Sequence, residues 1–63
     1  MLKHDLIRVA IREFIGAYNA LPGLAYMEAQ AGLTGTAAKT AVLDYASKHA
    51  TEVDPGVWEL GKR

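Results

Sequence analysis

The sequence predicts a mainly α-helical domain, a three-helix bundle with helix-turn-helix geometry and a short C-terminal strand or wing. Apolar residues recur at helical spacing from Lys3 to Leu21, and the glycine turn 32–34 separates two further helical segments. Strand-forming residues then surround a turn at 54–56. Because the chain has only 63 residues, we expect a single domain, 1–63.

The first predicted helix runs from about Lys3 to Leu21. Its apolar residues form one broad stripe at i, i+3, i+4 and i+7 spacing: Leu6, Ile7, Ala10, Ile11, Phe14, Ile15, Tyr18 and Leu21. Gly16 interrupts this helix and indicates the close approach of another helix. Leu2 and Val9 widen the stripe beyond what one small core requires, which indicates a second contact surface.

A short second helix is predicted over about Leu24 to Ala31, after a turn at Pro22-Gly23. Gly32 fits the C-cap position, where a left-handed backbone is needed. Leu33 is expected to enter the core. The Thr34 hydroxyl is expected to cap the third helix by accepting hydrogen bonds from its free amides.

The third helix is predicted from about Thr36 to His49. Its inner face consists of Ala38, Ala41, Val42 and Tyr45, with His49 as a cap or core-edge residue. Its opposite face consists of Thr36, Lys39, Thr40, Leu43 and Ser47. Residues 51–61 are predicted to form a miniature hairpin or a single closing strand. Trp58 and Leu60, two residues apart, are expected to point toward the core.

Charge and composition limit the function classes. Seven basic residues balance seven acidic ones, so DNA binding requires the positive charge to be gathered on one face. The absence of cysteine excludes disulfides and thiolate zinc sites, and His4 and His49 cannot form a structural metal site alone, so we expect no metal or cofactor. No apolar run reaches the ~20 residues of a membrane helix, and the N-terminus lacks a signal-peptide pattern. We therefore expect a cytoplasmic protein without membrane association.

Several short motifs are shared with one known family: Pro22-Gly23-Leu24, Gly32-Leu33-Thr34, Val42, Tyr45, Asp54-Pro55-Gly56 and Trp58-Glu59-Leu60-Gly61. Through them, residues 7–63 resemble the winged helix-turn-helix domain of bacterial transcription regulators, specifically the N-terminal DNA-binding domain of IclR-type regulators. The sequence departs from that family at Glu28, where alanine is usual, and its second helix is one residue shorter. Its recognition helix offers Lys39 and Lys48 where arginine is frequent, and the effector-binding domain has no counterpart in these 63 residues.

The outer face of the third helix contains the candidate DNA-reading residues, because lysine donates to guanine acceptors and threonine can contact a thymine methyl group. The base-facing candidates are Thr34, Thr36, Lys39, Thr40 and Leu43. The candidates for phosphate contact are Lys3, Arg8, Arg12, Lys48, Lys62 and Arg63. The alternative is that both sets are simply the solvated faces of a helical domain.

Residues with catalytic chemistry are few. Asp44, Ser47 and His49 crowd one helix, but nothing in the sequence organises them into a nucleophile, a base and an orienting group. No glycine-rich phosphate loop or histidine-glutamate metal motif is present. We therefore expect no enzyme activity, and we expect Trp58 and the tyrosines to be packing residues.

Two functions stay open. The first is a small DNA-binding transcriptional regulator that inserts helix 36–49 into a groove of double-stranded DNA and forms a homo-oligomer, a dimer through the first helix. The second is a non-enzymatic interaction or assembly protein, such as a virion component or an inhibitor of a host protein. Neutral charge and the apolar residues Leu2, Val9 and Leu43 favour this second function. A stand-alone domain of this size is typical of phages and mobile elements.

Overall fold

The computed structural model describes residues 3–61, with side chains from residue 5 onward. Three helices precede a two-stranded antiparallel sheet. The elements are α1 (Lys3–Tyr18), α2 (Leu24–Ala31), α3 (Gly35–His49), β1 (Ala50–Asp54) and β2 (Val57–Leu60). The predicted fold class, three helices with a C-terminal wing, is confirmed, and the tail forms two paired strands.

Helix α1 ends at Tyr18, before the predicted Leu21. Asn19 adopts a left-handed φ of 55°, although its N–H still donates to the Ile15 carbonyl at 2.8 Å. Asparagine tolerates this conformation better than most residues, so the chain can leave the helix at this point. Leu21 consequently packs against the core from the connecting segment.

The turn after α2 follows the prediction. Gly32 has a φ of 69° at the C-cap, and its N–H donates to the Glu28 carbonyl at 3.0 Å. The N–H of Leu33 donates to the Met27 carbonyl at 3.4 Å, so carbonyls at the end of the helix are satisfied. Leu33 is half-buried and packs against the core, as expected.

Helix α3 begins at Gly35, one position before the predicted Thr36. Thr34 occupies the N-cap position with extended backbone, but its side chain makes no capping hydrogen bond. The expected cap by the Thr34 hydroxyl is therefore wrong, and it leaves amides of the first turn of α3 without that partner.

The core lies where the three helices meet the start of the hairpin. The largest fully buried side chains come from α1 and α2: Ile11, Ile15 and Met27. Small residues from α3 and β1 form the opposite side at four-residue spacing: Ala38, Val42, Ala46 and Ala50. The predicted inner face is confirmed at Ala38 and Val42, while His49 is exposed because the buried row continues through Ala46 instead.

The hairpin is attached to the helices through both strands: Ala50 of β1 is part of the core, and β2 packs against α1. Glu52 lies opposite Trp58 in the antiparallel register, and Trp58 packs against the core. Leu60 is 44% exposed, so only Trp58 of the predicted pair reaches the core. The Leu60 side chain lies over α1, where its Cδ1 is 3.5 Å from the position of a Cβ built on Gly16. The neighbour at Gly16 is therefore a strand residue, in place of the expected helix.

Candidate nucleic-acid interface

The base-facing candidates all lie on exposed surface, between the N-cap and the middle of α3. They are Thr34, Thr36, Lys39, Thr40 and Leu43. Three are threonines, whose small side chains allow the helix backbone to approach a groove closely. Leu43 is the apolar member and is 49% exposed. The turn at Gly32 and the core packing of Ala38 and Val42 hold this face outward.

Lys39 supplies the positive charge on this face. No ion pair or hydrogen bond of its ammonium group occurs within residues 5–61. An exposed cation without a protein partner can donate to a ligand without first breaking an internal contact. Lys39 is thus the strongest single candidate for a contact with a base or a phosphate.

Only part of the phosphate-contact set can be placed. Lys62 and Arg63 lie outside the described residues, as does the side chain of Lys3. Arg8, Arg12 and Lys48 line two adjoining cavities between α1 and α3, of about 410 and 280 Å³. We call these cavities together the α1/α3 cleft; both are also lined by Tyr45 and His49.

The cleft and Lys39 are separate locations on α3. Lys48 follows Lys39 by nine residues. At 1.5 Å per residue, this places the two lysines about 14 Å apart along the helix axis. The cleft cations therefore do not form one continuous band with Lys39.

Two of the cleft cations have carboxylate partners. Arg8 Nη2 lies 2.7 Å from Asp5 Oδ1, and Lys48 Nζ lies 3.4 Å from Asp44 Oδ2. These are mostly exposed pairs between neighbouring turns, so each stabilises the fold by at most about 1 kcal/mol. Their main effect is to reduce the positive charge that the cleft presents to an anion.

The wing carries the wrong sign of charge for phosphate contact. Residues 50–61 contain no lysine or arginine, and their charged side chains, all exposed, are Glu52, Asp54 and Glu59. Glu52 Oε2 accepts a hydrogen bond from the Gly56 amide at 3.2 Å, which closes the turn. An acidic hairpin repels the DNA backbone. Within residues 5–61, the cations available for DNA contact are therefore on the helices.

The polar residues near the end of α3 make local contacts. The Ser47 hydroxyl donates to the Asp44 backbone carbonyl at 2.8 Å, and the His49 ring lies against the Tyr45 ring with centroids 4.7 Å apart. Within the part of the chain that the structure describes, no three histidine, aspartate or glutamate side chains are grouped as a metal site would require.

Sequence reasoning did not identify the cleft. Its walls are nonetheless visible as two sets at i, i+3, i+4 and i+7 spacing: Asp5, Arg8, Val9 and Arg12 on α1, and Ala41, Asp44, Tyr45 and Lys48 on α3. From the sequence these residues are expected in different roles: Arg8, Arg12 and Lys48 in phosphate contact, Val9 on a second contact surface, and Ala41 and Tyr45 on the inner face of the third helix. Only the packing of α1 against α3 brings them together.

Comparison with known proteins adds no relative. No protein-family model, curated protein or solved structure matches the chain. Among the helices described within residues 3–61, none is long and apolar enough to cross a membrane. Function is therefore inferred from the geometry of the chain itself.

Proposed function

We propose that this domain binds double-stranded DNA through the outer face of α3 and acts as a small transcriptional regulator. The observation that carries the proposal is the exposed face of small polar residues around Lys39, which follows directly on the tight turn at Gly32. A helix held in this way after a helix and a short turn is the element that helix-turn-helix proteins place in the major groove.

Base contacts would come from the first half of α3. The Lys39 ammonium can donate to guanine N7 and O6, while Thr36 and Thr40 can hydrogen-bond or contact a thymine methyl group. The Thr34 side chain does not cap α3, so the first N–H groups of this helix can donate hydrogen bonds to a phosphate. Arg12 has no protein partner within residues 5–61 and is the best-placed cleft cation for a flanking phosphate.

The neutral chain should bind DNA weakly and with strong salt dependence. If four phosphates are neutralised, the affinity falls roughly 10²-fold between about 50 and about 200 mM salt. Fluorescence anisotropy with one A·T-rich and one G·C-rich duplex at these two salt concentrations tests this. Failure of both duplexes to bind at about 50 mM salt would contradict the proposal.

A second function, protein binding through the same helix face, is favoured by one observation. Leu43 is 49% exposed in the middle of the outer face, and the wing beside the helices is acidic. An apolar side chain in this position stabilises a protein interface more than a DNA groove contact. A partner that is captured by the wild type and by Lys39→Gln, but not by Leu43→Gln, would favour protein binding.

We further propose that the DNA-binding form is a dimer through α1, because a dimer provides a second half-site and added stability. Of the residues expected to form this contact, Leu2 lies outside the described residues and Val9 is half-buried in the cleft. Leu6 is 43% exposed and is the apolar α1 residue available for it. Light scattering should show a dimer for the wild type and a monomer for Leu6→Gln; a wild-type monomer would contradict the dimer.

A further inference from the structure

We propose that the α1/α3 cleft binds a small organic anion, specifically a planar carboxylate with an aromatic body. The larger of its two cavities has a volume of about 410 Å³. This lies within the range of roughly 300–1,000 Å³ that is usual for small-molecule sites. The proposal does not rest on DNA binding, because Lys39 and the other base-facing residues of α3 do not line the cleft; Arg12 is the one residue that both proposals use.

The walls of the cleft offer an apolar, flat surface. Val9 and Tyr45 are both half-buried, and the Tyr45 ring is inclined at 41° to the His49 ring with centroids 4.7 Å apart. Ile7 and Ile11 extend the apolar lining into the adjoining cavity. A planar ring that packs against Tyr45 would remove apolar surface from water and gain an aromatic contact.

The charge at the rim favours an anion. Arg8 and Arg12 lie one turn apart on the same face of α1, about 6 Å along the axis. Asp5 compensates Arg8 at 2.7 Å, and Asp44 compensates Lys48 at 3.4 Å. Arg12 has no such partner within residues 5–61, so its positive charge is the one that the cleft leaves uncompensated. A bound anion would compensate it.

Arg12 and the apolar wall together indicate which anion fits. The planar Arg12 guanidinium can hold two oxygens of a carboxylate or of a phosphate through two parallel hydrogen bonds, so the wall decides between them. An inorganic phosphate could use the same charge, but it would leave the Val9 and Tyr45 wall unoccupied. A carboxylate with an aromatic body would occupy both the wall and the cation.

The test is an amide NMR titration of the full chain with sodium benzoate, with neutral benzamide and inorganic phosphate as matched probes. We expect saturable shifts at Val9, Tyr45 and His49 with benzoate, and a Kd on the order of millimolar for so small a ligand. Arg12→Gln should weaken benzoate binding about tenfold, which corresponds to one charged hydrogen-bonding contact. Lys39→Gln removes the same charge away from the cleft and should bind benzoate like the wild type.

Three outcomes would overturn the proposal. If benzamide binds with the same Kd as benzoate, the cleft does not recognise the negative charge. Phosphate binding as tightly as benzoate would show a simple anion site that makes no use of the apolar wall. Equal effects of Arg12→Gln and Lys39→Gln would show attraction to the net charge alone. Because Arg12 is exposed, the amide spectrum of its variant should keep the dispersion of the folded wild type.

Discussion

Trp58 is hydrogen-bonded to Asn19 in both directions. The Trp58 amide donates to the Asn19 carbonyl at 2.7 Å, and Asn19 Nδ2 donates to the Trp58 carbonyl at 3.3 Å. These contacts occupy the outer edge of β2 and join the hairpin to the connection between α1 and α2. The same residue, Asn19, also ends α1 with its left-handed backbone.

Substitutions of Asn19 should therefore destabilise the fold in a graded manner. Alanine tolerates a φ of 55° less well than asparagine, and Asn19→Ala also removes the side-chain hydrogen bond, for a loss of about 2 kcal/mol in unfolding free energy. Asn19→Gly removes only the hydrogen bond and adds chain freedom, for a loss of about 1 kcal/mol. Urea denaturation followed by Trp58 fluorescence measures both; equal losses would mean that the backbone conformation carries no cost.

The two glycines that flank α2 should respond oppositely to the same substitution. Gly32→Ser puts a side chain at a φ of 69° and should cost about 1 kcal/mol in unfolding free energy. Gly23 occupies the N-cap of α2 with a φ of −82°, and a Cβ there meets nothing within 4 Å. Gly23→Ser adds a hydroxyl cap and should stabilise by a few tenths of a kcal/mol. Thermal denaturation compares them, and a stabilising Gly32→Ser would contradict the left-handed cap.

The space at Gly16 predicts a stabilising change. A Cβ at this position would make an ordinary contact with Leu60 Cδ1 at 3.5 Å, and the helix would lose a flexible residue. We expect Gly16→Ala to raise the unfolding free energy by about 0.5–1 kcal/mol. For a domain of this size, whose total stability is about 3–9 kcal/mol, such a gain is measurable by urea denaturation. A loss of stability would show that Leu60 packs more tightly on α1 than the structure indicates.

The sequence predicted what depends on local chemistry. Gly32 and the apolar spacing of the short helix specified α2 to its last residue, since a left-handed glycine cap is a local property. The end of α1 was wrong because apolar spacing continues to Leu21, whereas Asn19 makes its contacts with Trp58, far along the chain. His49 was expected at the core edge but is exposed. Alanines occur on several faces of α3, so the sequence does not show that the buried row runs through Ala46; tertiary packing decides it.

The candidate site divides in the same way. The exposure of Thr36, Lys39 and Thr40 could be predicted, because they lie opposite the apolar inner face of α3, and all three are exposed. The convergence of Arg8 with Lys48 on one cleft required the packing of α1 on α3, which no local pattern contains. The ion pairs of Arg8 with Asp5 and of Lys48 with Asp44 could have been predicted from the sequence, because the partners are three and four residues apart on a helix.

Lys39 and Lys48 provide the sharpest test of DNA recognition, because both are exposed lysines of α3 and Gln removes the same charge from each. If Lys39 reads a base, Lys39→Gln should cost about 1–3 kcal/mol and reduce the preference for particular duplexes. Lys48 Nζ already lies 3.4 Å from Asp44 Oδ2. Lys48→Gln should therefore weaken binding to every duplex by the same factor and lower the slope of log K against log[salt] by about one at most. Anisotropy titrations on a panel of duplexes separate the two effects. Equal and uniform losses for both variants would mean that α3 contacts DNA through charge alone and that Lys39 does not read sequence.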